Sequence, residues 1–310
     1  MRKFLFTLLL AGGLTCAFAQ QSGSCGENLT WTLDEDGTLT ISGTGEMYDY
    51  GVGIGPWGKK ITRLILEEGI TSIGLNAFYE CDNLAGDLTF PASLTSIGDY
   101  AFFGCSGFIE NLTFPDGLTS IGDFAFHSCS GFIGNLMLPN GITNIGYCAF
   151  YGCSGFTGNL TLPAGLTSIG ASAFSGCSGF TELLLSAGLT SIGASAFSYC
   201  SGFTGNLTFP ASLTSIGDYA FNGCSGFTGN LTFPVSLTSI GSFAFSSCSG
   251  FTGNLTLPAG LTSIGRNAFY ECSGFDTLIL PESLLNIGSQ AFSYCGFSIV
   301  VNESKNPIVI

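Results

Sequence analysis

The sequence has little charge and almost no histidine. Of its 310 residues, only 9% are charged and 45% are hydrophobic, whereas about 25% are charged in an ordinary soluble domain. Disordered chains show the opposite balance, so a folded chain is indicated. His127 is the single histidine, which argues against Ser-His-Asp or Cys-His catalysis and against histidine-rich metal sites. Seven Lys and Arg against 21 Asp and Glu argue against non-specific binding to nucleic acid or anionic lipid.

Long apolar runs are absent beyond the N-terminus, where the one such stretch predicts export. Residues 1–3 begin with Met and then carry two basic side chains, residues 4–14 are mostly apolar, and Ala17 and Ala19 form an A-x-A cleavage signal. This order is that of a secretory signal peptide cleaved between Ala19 and Gln20. The sequence therefore predicts a secreted or cell-surface protein whose mature chain has no transmembrane span.

Beyond this leader, the chain is an internal repeat. Residues 153–170 and 248–265 are identical, and ten cysteines recur at intervals of 24 or 23 residues. A fixed period of this length indicates a solenoid, in which each unit forms one coil and packs mainly on its neighbours. The repeat cysteines are Cys81, Cys105, Cys129, Cys153, Cys177, Cys200, Cys224, Cys248, Cys272 and Cys295.

Each repeat predicts the same coil. In the unit that starts at Cys153, residues 159–162 alternate polar and apolar side chains, as in a half-buried strand, and Pro163 ends that strand. Residues 166–169 form a second short extended segment. Residues 173–174 are then expected to return the chain through a helical or 3₁₀ turn.

Stacking of the coils places like residues on like and predicts two ladders of buried phenylalanines. Burial of each ring stabilises the fold by about 1.5–3 kcal/mol. The first ladder consists of Phe78, Phe102, Phe126, Phe150, Phe174, Phe197, Phe221, Phe245, Phe269 and Phe292. The second starts with Leu84 and continues through Phe108, Phe132, Phe156, Phe180, Phe203, Phe227, Phe251, Phe275 and Phe297.

Two units are one residue shorter than the others. The units that start at Cys177 and Cys272 lack the glycine that precedes the strand in most units, and Ser186 replaces the proline in the first of them. An additional residue on one strand of a pair is a β-bulge. The sequence therefore predicts a bulge where the 24-residue units enter their strand.

The repeat cysteines allow three interpretations. Zinc ligands cluster within a few residues, whereas these cysteines lie a full coil apart. Parallel side chains in register point in the same direction rather than at each other, which disfavours disulfides. We therefore interpret the ladder as small buried side chains with free thiols. Cys25 and Cys148 lie outside the ladder and are expected to be more accessible.

The segment before the repeats predicts a small β module that caps the first coil. Residues 29–33 and 38–41 alternate as strands, and Asp36-Gly37 between them is a hairpin turn signal. The acids of residues 34–36 also suggest calcium, but the later ligands of a calcium loop are missing. The chain thus divides into a leader (1–19), a β cap module (20–60), a solenoid (61–297) and a C-terminal strand or cap (298–310).

The outward-facing residues are the candidates for binding. Asn and Thr on the predicted strand form ladders, which are either the ordinary wetted face of a sheet or a flat uncharged platform for a protein or glycan. Tyrosines at variable positions are either interface anchors or partly buried under the next coil. His127 is expected to be a solvated surface residue. The candidates are Asn111, Thr113, Asn159, Thr161, Asn206, Thr208, Asn230, Thr232, Asn254, Thr256, Tyr100, Tyr147, Tyr151 and Tyr219.

The unit, with Cys-x-x-Phe at its start and Ile-Gly-x-x-Ala-Phe at its end, resembles the treponemal-type leucine-rich repeat of BspA-like surface proteins. The resemblance covers about residues 61–297, and residues 25–57 are similar to the module that precedes such repeats. Phe replaces the usual Leu after Cys-x-x, and most units are one residue longer. The resemblance implies a right-handed leucine-rich-repeat superhelix of about ten 23–24-residue coils, with short parallel strands and helical or 3₁₀ turns, preceded by a β-hairpin cap.

The resemblance also implies a function. Members of this family are secreted or surface proteins implicated in adhesion, so the expected partners are host extracellular-matrix or surface proteins, or glycans. No GxSxG, P-loop or HExxH motif is present, and the serines have no partner base. We therefore expect no enzyme activity, cofactor or metal. The alternative is a structural or self-assembling component of the cell envelope, which near-identical coils would also permit.

Overall fold

The computed structural model describes residues 21–51 and 55–304. The predicted leader, with its cleavage site between Ala19 and Gln20, lies outside the described residues, as does the end of the predicted C-terminal segment. Within the described ranges, the regular structure consists of short β-strands, and no helix occurs.

The strands are short because each crosses only one side of a coil. The first ten are β1 (Gln21–Ser24), β2 (Leu29–Leu33), β3 (Thr38–Gly43), β4 (Gly45–Glu46), β5 (Arg63–Leu66), β6 (Ile70–Ile73), β7 (Ser96–Ile97), β8 (Ser120–Ile121), β9 (Leu136–Met137) and β10 (Asn159–Thr161). The rest are β11 (Ser168–Ile169), β12 (Glu182–Leu184), β13 (Ser191–Ile192), β14 (Ser215–Ile216), β15 (Ser239–Ile240), β16 (Gly253–Thr256), β17 (Ser263–Ile264), β18 (Phe275–Leu280), β19 (Asn286–Ile287) and β20 (Ile299–Asn302).

The N-terminal hairpin is confirmed. Strands β2 and β3 pair antiparallel, and Gly37 takes the positive φ of 82° that the turn requires. The carboxylate of Asp34 accepts hydrogen bonds from the N–H groups of Asp36 and Thr38, so it closes the turn. Strand β1 adds to β2, and β3 pairs in parallel with β5. The hairpin therefore passes directly into the sheet of the first repeat.

The repeats stack in parallel, as predicted. Strands β11, β13, β14, β15, β17 and β19 form one sheet in which each Ser-Ile pair lies beside that of the next coil, with Asn replacing Ser in β19. Strand β4 pairs with β6, which extends the stack ahead of the first repeat. At the other end, β20 pairs with β18, which confirms the predicted last strand.

Both phenylalanine ladders are confirmed. Neighbouring rings of the first ladder are within 20° of parallel, with centroids 5.0–5.6 Å apart. Trp57 stacks on Phe78 at 5.3 Å, and its Nε1 donates to the carbonyl of Ala77. The first ladder thus ends at its N-terminal side on a tryptophan that belongs to the cap module.

The expectation of helical or 3₁₀ turns is wrong. In the segment 170–177, the N–H groups of Ser172, Phe174 and Gly176 donate to carbonyls of the next coil at 2.8–2.9 Å, and the N–H groups between them close tight turns within the coil. Ser172 and Gly176 have positive φ angles of 55° and 76°. A helix needs successive N–H groups bonded within its own segment and negative φ throughout. Hydrogen bonds to the next coil therefore alternate with hydrogen bonds within the coil, and this pattern takes the place of a helix.

The ladder thiols take part in the same alternation. From Cys105 to Cys295, nine Sγ atoms each donate to the carbonyl of a first-ladder Phe one coil earlier, at 2.9–3.0 Å. All described cysteines are free, as predicted for the ladder. Burial raises the pKa of the Cys153 thiol to about 12, so the thiolate that would react is disfavoured.

The expected accessibility of the two cysteines outside the ladder is wrong. Cys25 is fully buried because its backbone lies hydrogen-bonded between Leu29 and Tyr48, and burial raises the pKa of its thiol to about 11. Cys148 is 5% exposed because it lies in the turn segment of its coil, and its N–H donates to the next coil. Neither thiol is therefore an accessible partner for a disulfide.

Candidate functional site

Each coil has three sides, and the predicted binding residues fall on two of them. The strand side holds residues equivalent to 158–162, and the turn side holds residues equivalent to 170–177. Between them lies the side of the Ser-Ile strands. All ten Asn and Thr candidates lie on the strand side and are exposed or half-exposed, whereas the four Tyr candidates lie on the turn side. The structure therefore separates the predicted site into two surfaces.

The Asn ladder has a structural role. A side-chain carbon added at Gly134, Gly229 or Gly253 would overlap Oδ1 of the Asn one coil earlier. These glycines are the additional residues of the 24-residue units, and they have positive φ angles of 73–76°. The register of β16 with β18 shifts between Gly253 and Asn254, so the irregularity lies where the strand is entered, as predicted. Its additional residue is Asp276 of the 23-residue unit, so the prediction that the 24-residue unit carries the bulge is wrong for this pair. Asn111, Asn206 and Asn230 thus each pack on the additional glycine of the next coil.

The short unit at Cys177 changes this arrangement. It lacks the additional glycine, and Glu182 occupies the Asn position. The Asn159 side-chain amide donates to the Glu182 carboxylate at 2.7 Å, and Leu184 replaces the outward Thr and is 44% exposed. Strand β12 pairs with β10 on one side only, so it is the edge of the three-stranded sheet β9–β10–β12.

A cleft of about 810 Å³ opens at this edge. At one end, the N–H of Thr204 donates to the Thr181 carbonyl at 2.9 Å, and at the other end Ser212 Oγ donates to Ala187 and Leu189 carbonyls. Between these ends, no backbone hydrogen bond joins residues 182–185 to residues 205–211 in the described structure. Two consecutive coils therefore separate over one side while remaining joined at both ends of it. The lining includes Asn159, Glu182, Leu184, Leu185, Asn206, Thr208, Phe209 and Pro210.

A second cleft of about 670 Å³ lies at the opposite edge of the same three-stranded sheet. Met137, which is 65% exposed, takes the outward Thr position there, and Asp116 is the one charged residue of the lining. Neither Met137 nor Leu184 was among the binding residues predicted from the sequence. Their signal was the replacement of Thr by a large apolar side chain at an outward position.

The turn side carries a stack of aromatic rings. Tyr79, Phe103, His127 and Tyr151 occupy the same position in four consecutive coils, with centroids 4.5–4.9 Å apart and planes within 11° of parallel. Rings at this spacing cover each other's faces, so mainly their edges face solvent. Lys59 lies 5.9 Å from the Tyr79 ring and forms an ion pair with Glu80. The 24-residue spacing of the four rings was the available signal.

His127 is not the solvated residue that the sequence suggested. Its ring lies between Phe103 and Tyr151, its Nδ1 lies 2.9 Å from the hydroxyl of Ser128, and burial lowers its pKa below the usual value for histidine. The stacking on both faces removes water from the ring. His127 is therefore a packing residue of the aromatic stack.

The tyrosine candidates on the turn side are not brought into one cluster. Tyr100 is half-buried and stacks on Phe124 at 4.7 Å, whereas Tyr147 and Tyr151 are 47% and 39% exposed. Tyr219, which is 40% exposed, stacks with Phe243 in a separate group. Tyr100 is therefore partly buried, whereas Tyr147, Tyr151 and Tyr219 are exposed and stay predicted binding residues.

Three aspartates that follow the Ile-Gly pair of their coils form hydrogen bonds to the next coil. Asp99, Asp123 and Asp218 each accept a backbone N–H of the next coil at 2.6–2.7 Å. In the described part of the chain, no group of three or more His, Cys, Asp or Glu side chains is placed to hold a metal ion. No described helix could cross a membrane either.

Parallel coils of about 24 residues around stacked Phe and Leu side chains define a leucine-rich-repeat protein. A family model described as BspA type Leucine rich repeat region matches residues 57–157, 130–205 and 203–308, in six copies. Since these matches cover most of the chain, the protein belongs to that family.

Three similar solved structures are leucine-rich repeat or leucine rich proteins of bacteria. A leucine-rich repeat protein from Bacteroides ovatus ATCC 8483 is 27% identical with a TM-score of 0.69, over 90% of this chain and 70% of that one. A leucine rich cell surface protein from Faecalibacterium prausnitzii A2-165 is 20% identical (TM-score 0.43, 94% and 99% covered), and a leucine-rich repeat protein of Treponema pallidum is 19% identical (0.35, 91% and 83%). Of the three, the first superposes well enough to support the fold. A search of curated proteins gave no match.

Proposed function

We propose that this protein is an exported, non-catalytic binding protein of the cell surface, which adheres to host matrix proteins or to neighbouring cells. Export is supported by the leader pattern that ends at Ala19. Binding is supported by membership in a leucine-rich-repeat family and by the length of uncharged, exposed surface along the stack.

The observation that carries this proposal is the interrupted strand side. A β-sheet that only stabilised the stack would pair all its strands, yet β12 leaves an edge unpaired beside a lined cleft. Unpaired strand edges are otherwise a liability that proteins cover or charge. An exposed edge beside a partly apolar cleft suits the recognition of an extended partner.

The proposal is tested by binding of the mature protein to immobilised matrix proteins, with surface variants that separate the two sides. Leu184→Thr restores the ladder residue on the strand side, and Tyr151→Ser removes an exposed ring on the turn side. We expect saturable binding that Leu184→Thr weakens several-fold and Tyr151→Ser leaves within twofold.

Of two other outcomes, the first opposes the proposal and the second opposes only the assignment of the contact to the strand side. Absence of saturable binding, together with concentration-dependent oligomers in sedimentation, would support the structural component of the envelope instead. If Tyr151→Ser weakens matrix binding and Leu184→Thr does not, the contact surface lies on the turn side. Circular dichroism and the melting temperature of each variant show whether the fold is intact.

A further inference from the structure

We infer that the cleft between residues 182–185 and 205–211 binds one Arg or Lys side chain of an extended peptide in the partner. This inference rests on the proposed function, because it names the chemistry that the strand side would recognise.

The charge of the cleft favours a cationic guest. Glu182 is the one ionisable side chain among its described lining residues, and its only hydrogen-bond partner there is the neutral amide of Asn159. No lining residue supplies a positive charge.

The apolar part of the cleft favours a guest with a long aliphatic stem. Leu184, Leu185 and Pro210 lie in the same lining as the carboxylate. Arg and Lys bury their methylene groups along apolar surface while the charged end meets a polar partner. An Arg guanidinium can also bind a carboxylate through two parallel hydrogen bonds.

The shape of the cleft admits a side chain rather than a whole strand. Hydrogen bonds at Thr204 and Ser212 hold the two coils together at both ends, so the opening is closed lengthwise. A peptide strand inserted between the two coils would need to lie about 4.8 Å from each of them along the stack. The backbone of the peptide would therefore lie over the cleft, with one side chain inserted.

A sugar ring fits the cleft less well. Sugars commonly stack on an open aromatic face, but Phe209, the one aromatic residue of the lining, is 9% exposed. Phe233 stacks on it at 5.6 Å, and Phe221 packs edge-on at 5.7 Å. No aromatic platform is left in this cleft for a glycan.

The test uses the mature protein labelled with ¹⁵N and heptapeptides Gly-Ser-Gly-X-Gly-Ser-Gly with blocked ends, in which X is arginine, lysine, citrulline or glutamate. Citrulline has nearly the shape of arginine without its charge. We expect the arginine and lysine peptides to shift the Asn159 side-chain amide and backbone signals of residues 182–185 saturably, with at least tenfold weaker binding of the citrulline and glutamate peptides.

Variants assign this preference to the carboxylate. Glu182→Gln should remove the tenfold preference for arginine over citrulline, and Glu282→Gln, an exposed acid outside the cleft lining, should preserve it. Leu184→Thr, which restores the ladder residue, should weaken both peptides equally.

Equal binding of the arginine and citrulline peptides would overturn the inference, as would shifts outside the cleft or saturable shifts of the same signals by methyl glycosides. The proposed function fails separately. If the arginine peptide binds as expected but no matrix protein is bound, the cleft chemistry stands and the adhesion proposal falls. If the arginine peptide does not bind and Glu182→Gln leaves matrix binding unchanged, the adhesion proposal stands and the inference about the cleft falls.

Discussion

The turn side and the strand side of the same coils are built in different ways. On the turn side, every second N–H bonds to the next coil through all the repeats, and a thiol adds a further bond at each step. On the strand side, pairing is divided into separate short sheets, with isolated bridges and two clefts between them. Continuous bonding on one side leaves the other side free to vary without loss of the stack.

The largest expected effect that separates the two sides is alkaline unfolding. The ladder thiols lie at the end of the turn segment, and burial raises their pKa above the value of about 8.5–9 in the unfolded chain. The folded state therefore keeps protons that the unfolded state loses. The contribution of these thiols to the free energy of unfolding is fully present below about pH 8.5. Above that pH it decreases by about 1.4 kcal/mol per pH unit for each thiol.

Urea unfolding monitored by circular dichroism between pH 7 and 10 measures this decrease. With ten ladder thiols, the loss by pH 10 is comparable to the whole stability of a typical domain. The double variant Cys200→Ser, Cys224→Ser should lower the slope by about 2.7 kcal/mol per pH unit. An unchanged slope would show that the thiols do not control the alkaline transition.

The next effect is the loss of one ladder ring. Phe174 is fully buried between Phe150 and Phe197, so Phe174→Ala should destabilise the protein by about 3–5 kcal/mol. Thr161→Ala, on the strand side of the same unit, should change stability by less than about 0.5 kcal/mol. Urea unfolding measures both.

The damage from Phe174→Ala should also be local, because coils contact mainly their neighbours. Hydrogen exchange should therefore increase most around residues 150–200. Uniform loss of protection along the chain would contradict nearest-neighbour coupling, and equal destabilisation by the two variants would remove the contrast between the sides.

The smallest effect concerns the positive φ angle in the turn segment. Ser172 takes φ 55°, which an L residue adopts at a cost. Ser172→Gly should raise stability by about 0.5–1 kcal/mol, because glycine adopts this conformation freely. Ser168→Gly, in strand β11, should lower it by about as much. A stabilisation by neither or both would show that backbone strain does not distinguish these positions.

The inward-facing residues were predictable because the repeat period fixes them. The Phe ladders and the hairpin at Asp36-Gly37 follow from spacing and turn chemistry alone. The turn segment was not predictable in the same way, since Ser172, Tyr219 and Gln290 share a positive φ without sharing a residue type. Side-chain patterns show which residues face the core, but they do not show where backbone N–H groups bond.

The candidate site was predicted only in part. The outward position of Asn and Thr follows from alternation along the strand, and their exposure agrees with it. The cleft lies beside the unit that lacks the glycine before Glu182. The unit at Cys272 lacks the same glycine, yet its strand β18 pairs on both sides. The missing glycine alone therefore does not predict a cleft.

The bond from a ladder thiol to the Phe one coil back also has an evolutionary consequence. It joins consecutive units through the same two atoms, whether it spans 27 residues, as for Cys177, or 26, as for Cys200. Residues 153–170 and 248–265 are identical, so unequal recombination between them would remove whole units and rejoin the chain at equivalent positions. Such a gene can lengthen or shorten its product one coil at a time without a new core.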